Sequence, residues 1–360
     1  MKFDISTVDA NFLQGSAIDP AAFLWRRITE APFSIHGLAV AEGDMFARLP
    51  VDLAKRISDG VNWLNVHTAG GRVRFATNAS RIAIRALTRY TGSMSHMPLS
   101  GSHGVDVYKN GKFITGIRPD NDDGGWFESI AVLSADANKS HKEVEINLPL
   151  YNGICDMAVG VPAGADVREA APYAIQKPIV YYGSSITQGG CASRPGNSYQ
   201  SYHERALNAD YINLGFSGSA RGEELMAQYV ASLDMSALVL DYDHNAPSVE
   251  HLNATHERFF RIVRAAHPEL PVIFVSKPDT GKAPRDEGMR RGVIYTTYKN
   301  ALDAGDRHVY YVDGRRLFGS RDRDACTVDN CHPNDLGFYR MAYTILPVLK
   351  QALKEAGVIE

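Results

Sequence analysis

Pro178-Ile-Val-Tyr-Tyr-Gly-Ser-Ser-Ile-Thr-Gln-Gly-Gly190 contains a short apolar run, Ile179 to Tyr182, that breaks into Gly183-Ser184-Ser185-Ile186-Thr187. A buried strand ends in this way when it must present a small hydroxyl at the edge of a sheet. A serine there is a nucleophile if a base and oxyanion donors reach it. Candidates for the base stand well over a hundred residues downstream, in Asp329-Asn-Cys-His-Pro-Asn334.

From Pro172 onward the pattern alternates strand and helix. Apolar runs at Ile179–Tyr182, Tyr211–Phe216, Ala237–Tyr242, Val272–Ser276 and Val309–Val312 read as strands. Amphipathic segments Tyr199–Leu207, Glu223–Leu233, Val249–Ala266 and Asp286–Leu302 lie between them, and Leu336–Ala356 closes the chain. Continuous apolar strands alternating with helices predict a parallel sheet covered on both faces, an α/β fold. In such sheets the site lies at the carboxyl ends of the strands.

Before that point the period is two. Arg72-Val-Arg-Phe75, Arg81-Ile-Ala-Ile84 and Glu143–Leu148 alternate as half-buried strands do, and Asn110-Gly111 reads as a tight hairpin turn. These features predict an antiparallel β-sandwich over residues 1–171, followed by the α/β domain over 172–360. A short helix is expected around Leu53 and Ile57.

The chain has 360 residues, enough for two cores, and is 22% charged and 44% hydrophobic with a formal net charge of -3. No basic stripe suits nucleic acid, and no run of about eighteen apolar residues suits a membrane span. Met1 to Ala10 lacks the basic-then-apolar layout of a secretion signal, so the default expectation is a cytoplasmic location. Cys155, Cys191, Cys326 and Cys331 are too scattered for a disulfide scaffold or a four-ligand zinc site. Cys326 and Cys331 flank the downstream element and could bridge it, although thiols of an intracellular chain stay reduced. No metal or organic cofactor is expected.

Each strand end offers polar chemistry. Ser184 and Ser185 follow the first strand, and on their own would be ordinary turn residues. The second strand ends in Asn213-Leu-Gly-Phe-Ser-Gly218, whose backbone N–H groups could face a developing oxyanion. The third ends in Asp241-Tyr-Asp-His-Asn245, where Asn245 carries an amide donor and Asp243 and His244 could support the loop. Asp329 and His332 are three apart, so that the carboxylate can orient the imidazole while its other nitrogen faces a serine. Histidine suits the base because its ordinary pKa lies near neutrality.

Together these motifs resemble the SGNH (GDSL-type) hydrolases. Gly183-Ser184-Ser185-Ile186-Thr187 is similar to the first block, usually Gly-Asp-Ser-x-Thr. Gly218 matches the glycine of the second block, Asn245 the asparagine of the third, and Asp329-x-x-His332-Pro-Asn the last. Gly104-Val-Asp-Val-Tyr108 resembles the Gly-x-Asp-Leu-Tyr signature of the β-sandwich that precedes some bacterial members. The resemblance implies a three-layer, flavodoxin-like catalytic domain. It also implies Ser185 as nucleophile, His332 as base and Asp329 as its orienting partner. The oxyanion donors would be the Ser185 and Gly218 N–H groups and the Asn245 side chain. Two departures stand out: Ser184 replaces the usual aspartate, and Asp243-His244-Asn245-Ala246 replaces the common Gly-x-Asn-Asp.

The expected activity is hydrolysis of small acyl esters, acetyl above all, on a small molecule or a carbohydrate. The alternatives are an acyltransferase using the same triad, a non-catalytic carbohydrate-binding protein, and a cysteine enzyme using Cys191 or Cys331. The polar runs Ser93–Met97 and Asp120–Asp123 are candidates for a wall over the site from the N-terminal half.

Overall fold

The computed structural model describes residues 8, 9, 18–89, 92, 94–120, 123–135, 140–281 and 286–360. The N-terminal half is built of two antiparallel sheets. One runs in the order Phe23–Arg27, Ile154–Pro162, Arg81–Thr88, Gly125–Val132. The other runs Val167–Arg168, Arg72–Thr77, Lys142–Asn147, Val105–Lys109, Lys112–Ile117, with Ser34–His36 also paired to Arg72–Thr77. Alternate residues of both sheets, among them Val73, Phe75, Ile82, Ile84, Val107, Val144, Ile146 and Val159, share one apolar core. That is the packing that a two-residue period dictates. Asn110-Gly111 forms the expected turn, Asn110 and Gly111 both at positive φ. The expected helix spans Val51–Ile57 and is followed by a second, Asp59–Asn65, which Ser58 starts by accepting from Val61 N–H.

In the C-terminal half five strands are all parallel, in the order Ala209–Gly215, Ile175–Gly183, Ala237–Asp241, Val272–Val275, Val309–Val312. This is the flavodoxin-like order, and its direction reverses at the first strand. The strand ends agree with the sequence reading within a residue or two, except that the first strand begins four residues earlier, at Ile175. Tyr181, Val239 and Ile273 face the helices Tyr199–Leu207 and Asp335–Glu355, whose Tyr199, Phe338, Met341 and Ile345 complete that layer. Val180, Leu240 and Phe274 face the other side, with Met226, Phe259 and Ile294 from Glu224–Ala231, Val249–Ala266 and Glu287–Asp303. Among the described residues no helix is long and apolar enough to cross a membrane.

Buried polar contacts join the two halves. Asp106, fully buried, accepts hydrogen bonds from Gly196 N–H at 2.8 Å, Arg194 Nη1 at 3.0 Å and Asn147 Nδ2 at 2.9 Å. The aspartate of Gly104-Val-Asp-Val-Tyr108 thus fastens the loop that follows the candidate nucleophile. Arg72 donates to the Tyr173 hydroxyl and the Tyr211 carbonyl and pairs with Asp210. Arg48, also fully buried, donates to the carbonyls of Leu64, Asn213 and Gly215, and its guanidinium lies 4.2 Å from the centre of the Phe216 ring. A buried cation is tolerated where backbone carbonyls and an aromatic face replace its water.

Candidate active site

The first strand ends at Gly183. A side chain there would lie 2.0 Å from Thr187 Oγ1 and 2.2 Å from the Asp241 carbonyl oxygen, so the turn into the next element closes only around glycine. Ser184 follows in extended conformation and caps a single helical turn, Ser185–Gln188, its Oγ accepting from Ile186 N–H at 3.1 Å. Serine caps a helix as well as aspartate does. Ser185 is the first residue of the turn, and its N–H has no acceptor among the described residues.

The loops of the second and third strands close around this turn. Phe216 N–H donates to the Gly183 carbonyl at 2.9 Å, and Ser217 N–H to Gln188 Oε1 at 3.0 Å. Gly218 adopts φ +67°, and its N–H, like that of Ser185, lacks an acceptor among the described residues. Asn245 Nδ2 donates to the Phe216 carbonyl at 3.0 Å. One amide hydrogen therefore ties the third-strand loop to the second-strand loop, and its partner stays available. Asp243 Oδ1 accepts from His244 N–H at 2.8 Å and contacts His244 Nδ1 at 3.3 Å, while Oδ2 accepts from Lys277 N–H at 3.1 Å. Arg290 clamps the same loop by donating to the Asp243 and Ala246 carbonyls, each at 2.8 Å. Asp243 thus ties His244 and Lys277 together.

Asp329 and His332 arrive on a tight loop before the final helix. Asn330 at φ +64° turns the chain back on itself, and Asn334 caps the helix by accepting from Gly337 N–H at 3.1 Å. Asp329 Oδ1 accepts from the backbone N–H of Cys331 and His332, at 3.0 and 2.7 Å. Its Oδ2 lies 2.7 Å from His332 Nδ1, and His332 Nε2 lies 2.9 Å from Ser185 Oγ. With its Nδ1 proton on the carboxylate, the imidazole offers Nε2 as an acceptor for the serine proton. Burial alone would raise the Asp329 carboxyl. The hydrogen bonds from His332 and the ring's charge outweigh it and hold the carboxyl below the ordinary range.

Ser185, His332 and Asp329 therefore meet at the carboxyl edge of the parallel sheet, with the loops that carry Gly218 and Asn245 closed around them. Others escaped notice. Tyr151, from the N-terminal half, donates its hydroxyl to the Ser185 carbonyl at 3.1 Å. Arg48 holds the base of the Gly218 loop. Both come from segments with no periodic or motif signal. His96 lies in the run Ser93–Met97; Ser93 itself, like Asn121 and Asp122 of the second run, is outside the described residues. The His96 ring centre lies 5.9 Å from that of His332. Ligand atoms of His96, Asp329 and His332 fall within 4.8 Å of one another, the spacing of a cation site. Asp329 Oδ2 and His332 Nε2 are already engaged, however, in the line to Ser185.

All four cysteines are free. Burial pushes the Cys191 thiol up to about 12 and also raises that of Cys331. Both shifts oppose the thiolate that a cysteine nucleophile requires.

Beneath the site, Asp241 is fully buried and accepts from Thr187 Oγ1 at 3.2 Å and Tyr199 Oη at 3.4 Å. Burial, then the neighbouring Asp243 charge, push its carboxyl well above the ordinary range. The unfolded carboxyl titrates near about 4. As pH rises beyond that value the unfolded chain releases this proton and the native one retains it, so the native state loses stability. Asp241→Asn removes the penalty. Its melting temperature relative to wild type is expected to rise between pH 5 and pH 8 by thermal unfolding. A difference that stays constant with pH would show that the native carboxyl is ionised.

Residues 176–350 match the GDSL-like lipase/acylhydrolase family. Residues 23–167 match a family described as the GxDLY N-terminus of SGNH-hydrolase-type esterases. No curated protein matches by sequence. Among solved structures, a Bacteroides ovatus protein assigned as a GDSL-like lipase is 27% identical, with a TM-score of 0.82, over 92% of this chain and 98% of its own. A salicylyl-acyltransferase from a tetracycline biosynthetic pathway is 21% identical, TM-score 0.76, over 94% and 98%. An acetyl xylan esterase from the rumen bacterium Butyrivibrio proteoclasticus is 15% identical, TM-score 0.60, over 94% and 100%. The last two likenesses are of fold.

Proposed function

This chain belongs to the GDSL-like lipase/acylhydrolase family, with the N-terminal domain of its SGNH-type esterases, and on that premise we propose that it is a serine esterase for small acyl esters, acetyl above all, carried on a carbohydrate. As a family member it is a carboxylic ester hydrolase by class. The observation that carries the mechanism is the unbroken line from Asp329 through His332 to Ser185, with contacts of 2.7 and 2.9 Å.

In this mechanism Ser185 Oγ attacks the ester carbonyl carbon as His332 Nε2 takes its proton. The resulting oxyanion is met by the Ser185 and Gly218 N–H groups and by the free amide hydrogen of Asn245. The carbon–oxygen bond to the alcohol then breaks, and the imidazolium gives its proton to the leaving oxygen. Water enters, loses a proton to His332, and cleaves the acyl-enzyme to release the carboxylic acid and restore Ser185. Donors fixed beforehand need no reorganisation as the charge develops.

The carbohydrate part is supported by structural neighbours that include a family two carbohydrate esterase and an acetyl xylan esterase. A second reading, acyl transfer to an alcohol in place of water, is supported by the salicylyl-acyltransferase neighbour. Product analysis with a competing alcohol separates the two.

Asn245→Ala provides the test. Wild type is expected to hydrolyse p-nitrophenyl acetate, and the variant to do so about 100-fold or more slowly in kcat with KM little changed. A near-wild-type rate removes Asn245 from the oxyanion site, and no hydrolysis by the wild type sinks the esterase reading.

A further inference from the structure

A cavity of about 330 Å³ opens between the two halves, beside the Gly218 loop. Its walls include Trp63, His67, Met94 and Tyr151 from the N-terminal half, and Ser217 and Ser219 from either side of Gly218. Tyr151 is the residue that donates to the Ser185 carbonyl. Two residues beyond Met94 stands His96, beside His332. One wall thus runs from the cavity to the group that would protonate a leaving alcohol.

The hydrogen bonds around Gln188 fix the chemistry of this wall. Its Oε1 accepts from Ser217 N–H, so Nε2 is the donor end, and it donates to the Leu150 carbonyl at 3.0 Å. The other Nε2 hydrogen points to His67 Nδ1 at 3.2 Å, which makes Nδ1 an acceptor. The His67 proton therefore sits on Nε2. That N–H is buried and has no partner among the described residues. Burial, with the charges of Arg48 and His103, lowers the His67 pKa to about 3, so the ring is neutral and keeps this tautomer. A buried donor without an acceptor is costly and calls for an oxygen from outside. Trp63 contributes the opposite quality, a broad apolar face that is 63% exposed.

We infer that this cavity is the subsite for the pyranose ring that carries the scissile ester, with Trp63 stacked on the ring and the His67 Nε2–H and the Ser217 and Ser219 hydroxyls meeting its hydroxyls. The inference rests on the esterase reading and extends it by assigning the cavity to the alcohol and not to the acyl group. The polar wall makes that distinction. An alkyl or aryl acyl chain would leave the imidazole N–H desolvated and unpaired, whereas a sugar hydroxyl satisfies it. The volume lies at the low end of the range for small-molecule sites, roughly 300–1,000 Å³, and suits one ring.

The test compares an acetylated methyl pyranoside with p-nitrophenyl acetate. In Trp63→Ala the ratio of kcat/KM for the pyranoside to that for p-nitrophenyl acetate is expected to fall at least tenfold, mainly through KM, and Trp63→Phe should recover part of it. In a Ser185→Ala background, the pyranoside should change the tryptophan fluorescence, and Trp63→Phe should abolish that change. An unchanged ratio together with a fluorescence response that persists without Trp63 overturns the subsite. A chain length series in which Trp63→Ala slows octanoyl more than acetyl p-nitrophenyl esters also overturns it, by making the cavity an acyl pocket. Wild-type hydrolysis of p-nitrophenyl acetate that disappears with Ser185→Ala keeps the esterase reading standing in either case.

Discussion

Ser185→Ala is expected to lower p-nitrophenyl acetate turnover by roughly 10⁴- to 10⁶-fold, the scale seen when a triad nucleophile is removed. Its melting temperature should change little, because among the described residues the one hydrogen-bond partner of Ser185 Oγ is the His332 imidazole. Ser184→Ala is expected to behave in the opposite way. Its Oγ accepts from Ile186 N–H and is wholly buried. Losing a helix cap costs about 0.5–2 kcal/mol, so stability should fall while the rate falls far less than in Ser185→Ala. Paired thermal melts and initial rates on the two variants decide the assignment. An active Ser185→Ala beside an inactive Ser184→Ala would reverse it.

Asp329→Asn is expected to reduce kcat by roughly 10²- to 10⁴-fold with the fold intact. The loss comes from the tautomer. An asparagine amide turned toward His332 Nδ1 donates to it, moves the ring proton to Nε2, and removes the acceptor that Ser185 needs. The Asp329 side chain is 36% exposed, and water screens its charge, which places the effect toward the lower end. Because its carboxyl is held below the ordinary range, the wild-type group stays ionised from about pH 5 upward. The Asp329 carboxyl followed by carbon NMR should therefore stay ionised from pH 6 to pH 9, and a carboxyl signal that titrates within that interval would overturn this.

Much of this architecture was legible in residue order. Strand runs such as Ala237–Leu240 and Val272–Val275 are apolar throughout because both faces of a parallel sheet are covered. Helix ends at Tyr199, Leu207, Val249 and Ala266 followed from amphipathic periodicity. Ser185, Asp329, His332 and the turns holding Gly218 and Asn245 were legible because strand-end chemistry is local. Each sits within a few residues of the strand or helix that presents it. The loop around Asn245 is local only in part: Asp243 engages its neighbour His244, whereas Lys277 and Arg290 hold it from far along the chain.

What the sequence could not disclose are contacts between residues far apart in the chain. Arg48 and Gly215 are 167 positions apart, and Tyr151 and Ser185 are 34 apart. No local period or motif marks an arginine that will be buried against carbonyls, or a tyrosine that will brace a nucleophile. The spare proton on His67 depends on Gln188, 121 residues away, and on which end of that amide Ser217 engages. The sequence alone determined the two kinds of sheet and the residues at their edges, since hydrophobic period and turn chemistry are properties of neighbours. Only the tertiary structure decided how the N-terminal half props the nucleophile and walls the cavity. Burial and hydrogen-bond satisfaction are properties of the packed whole.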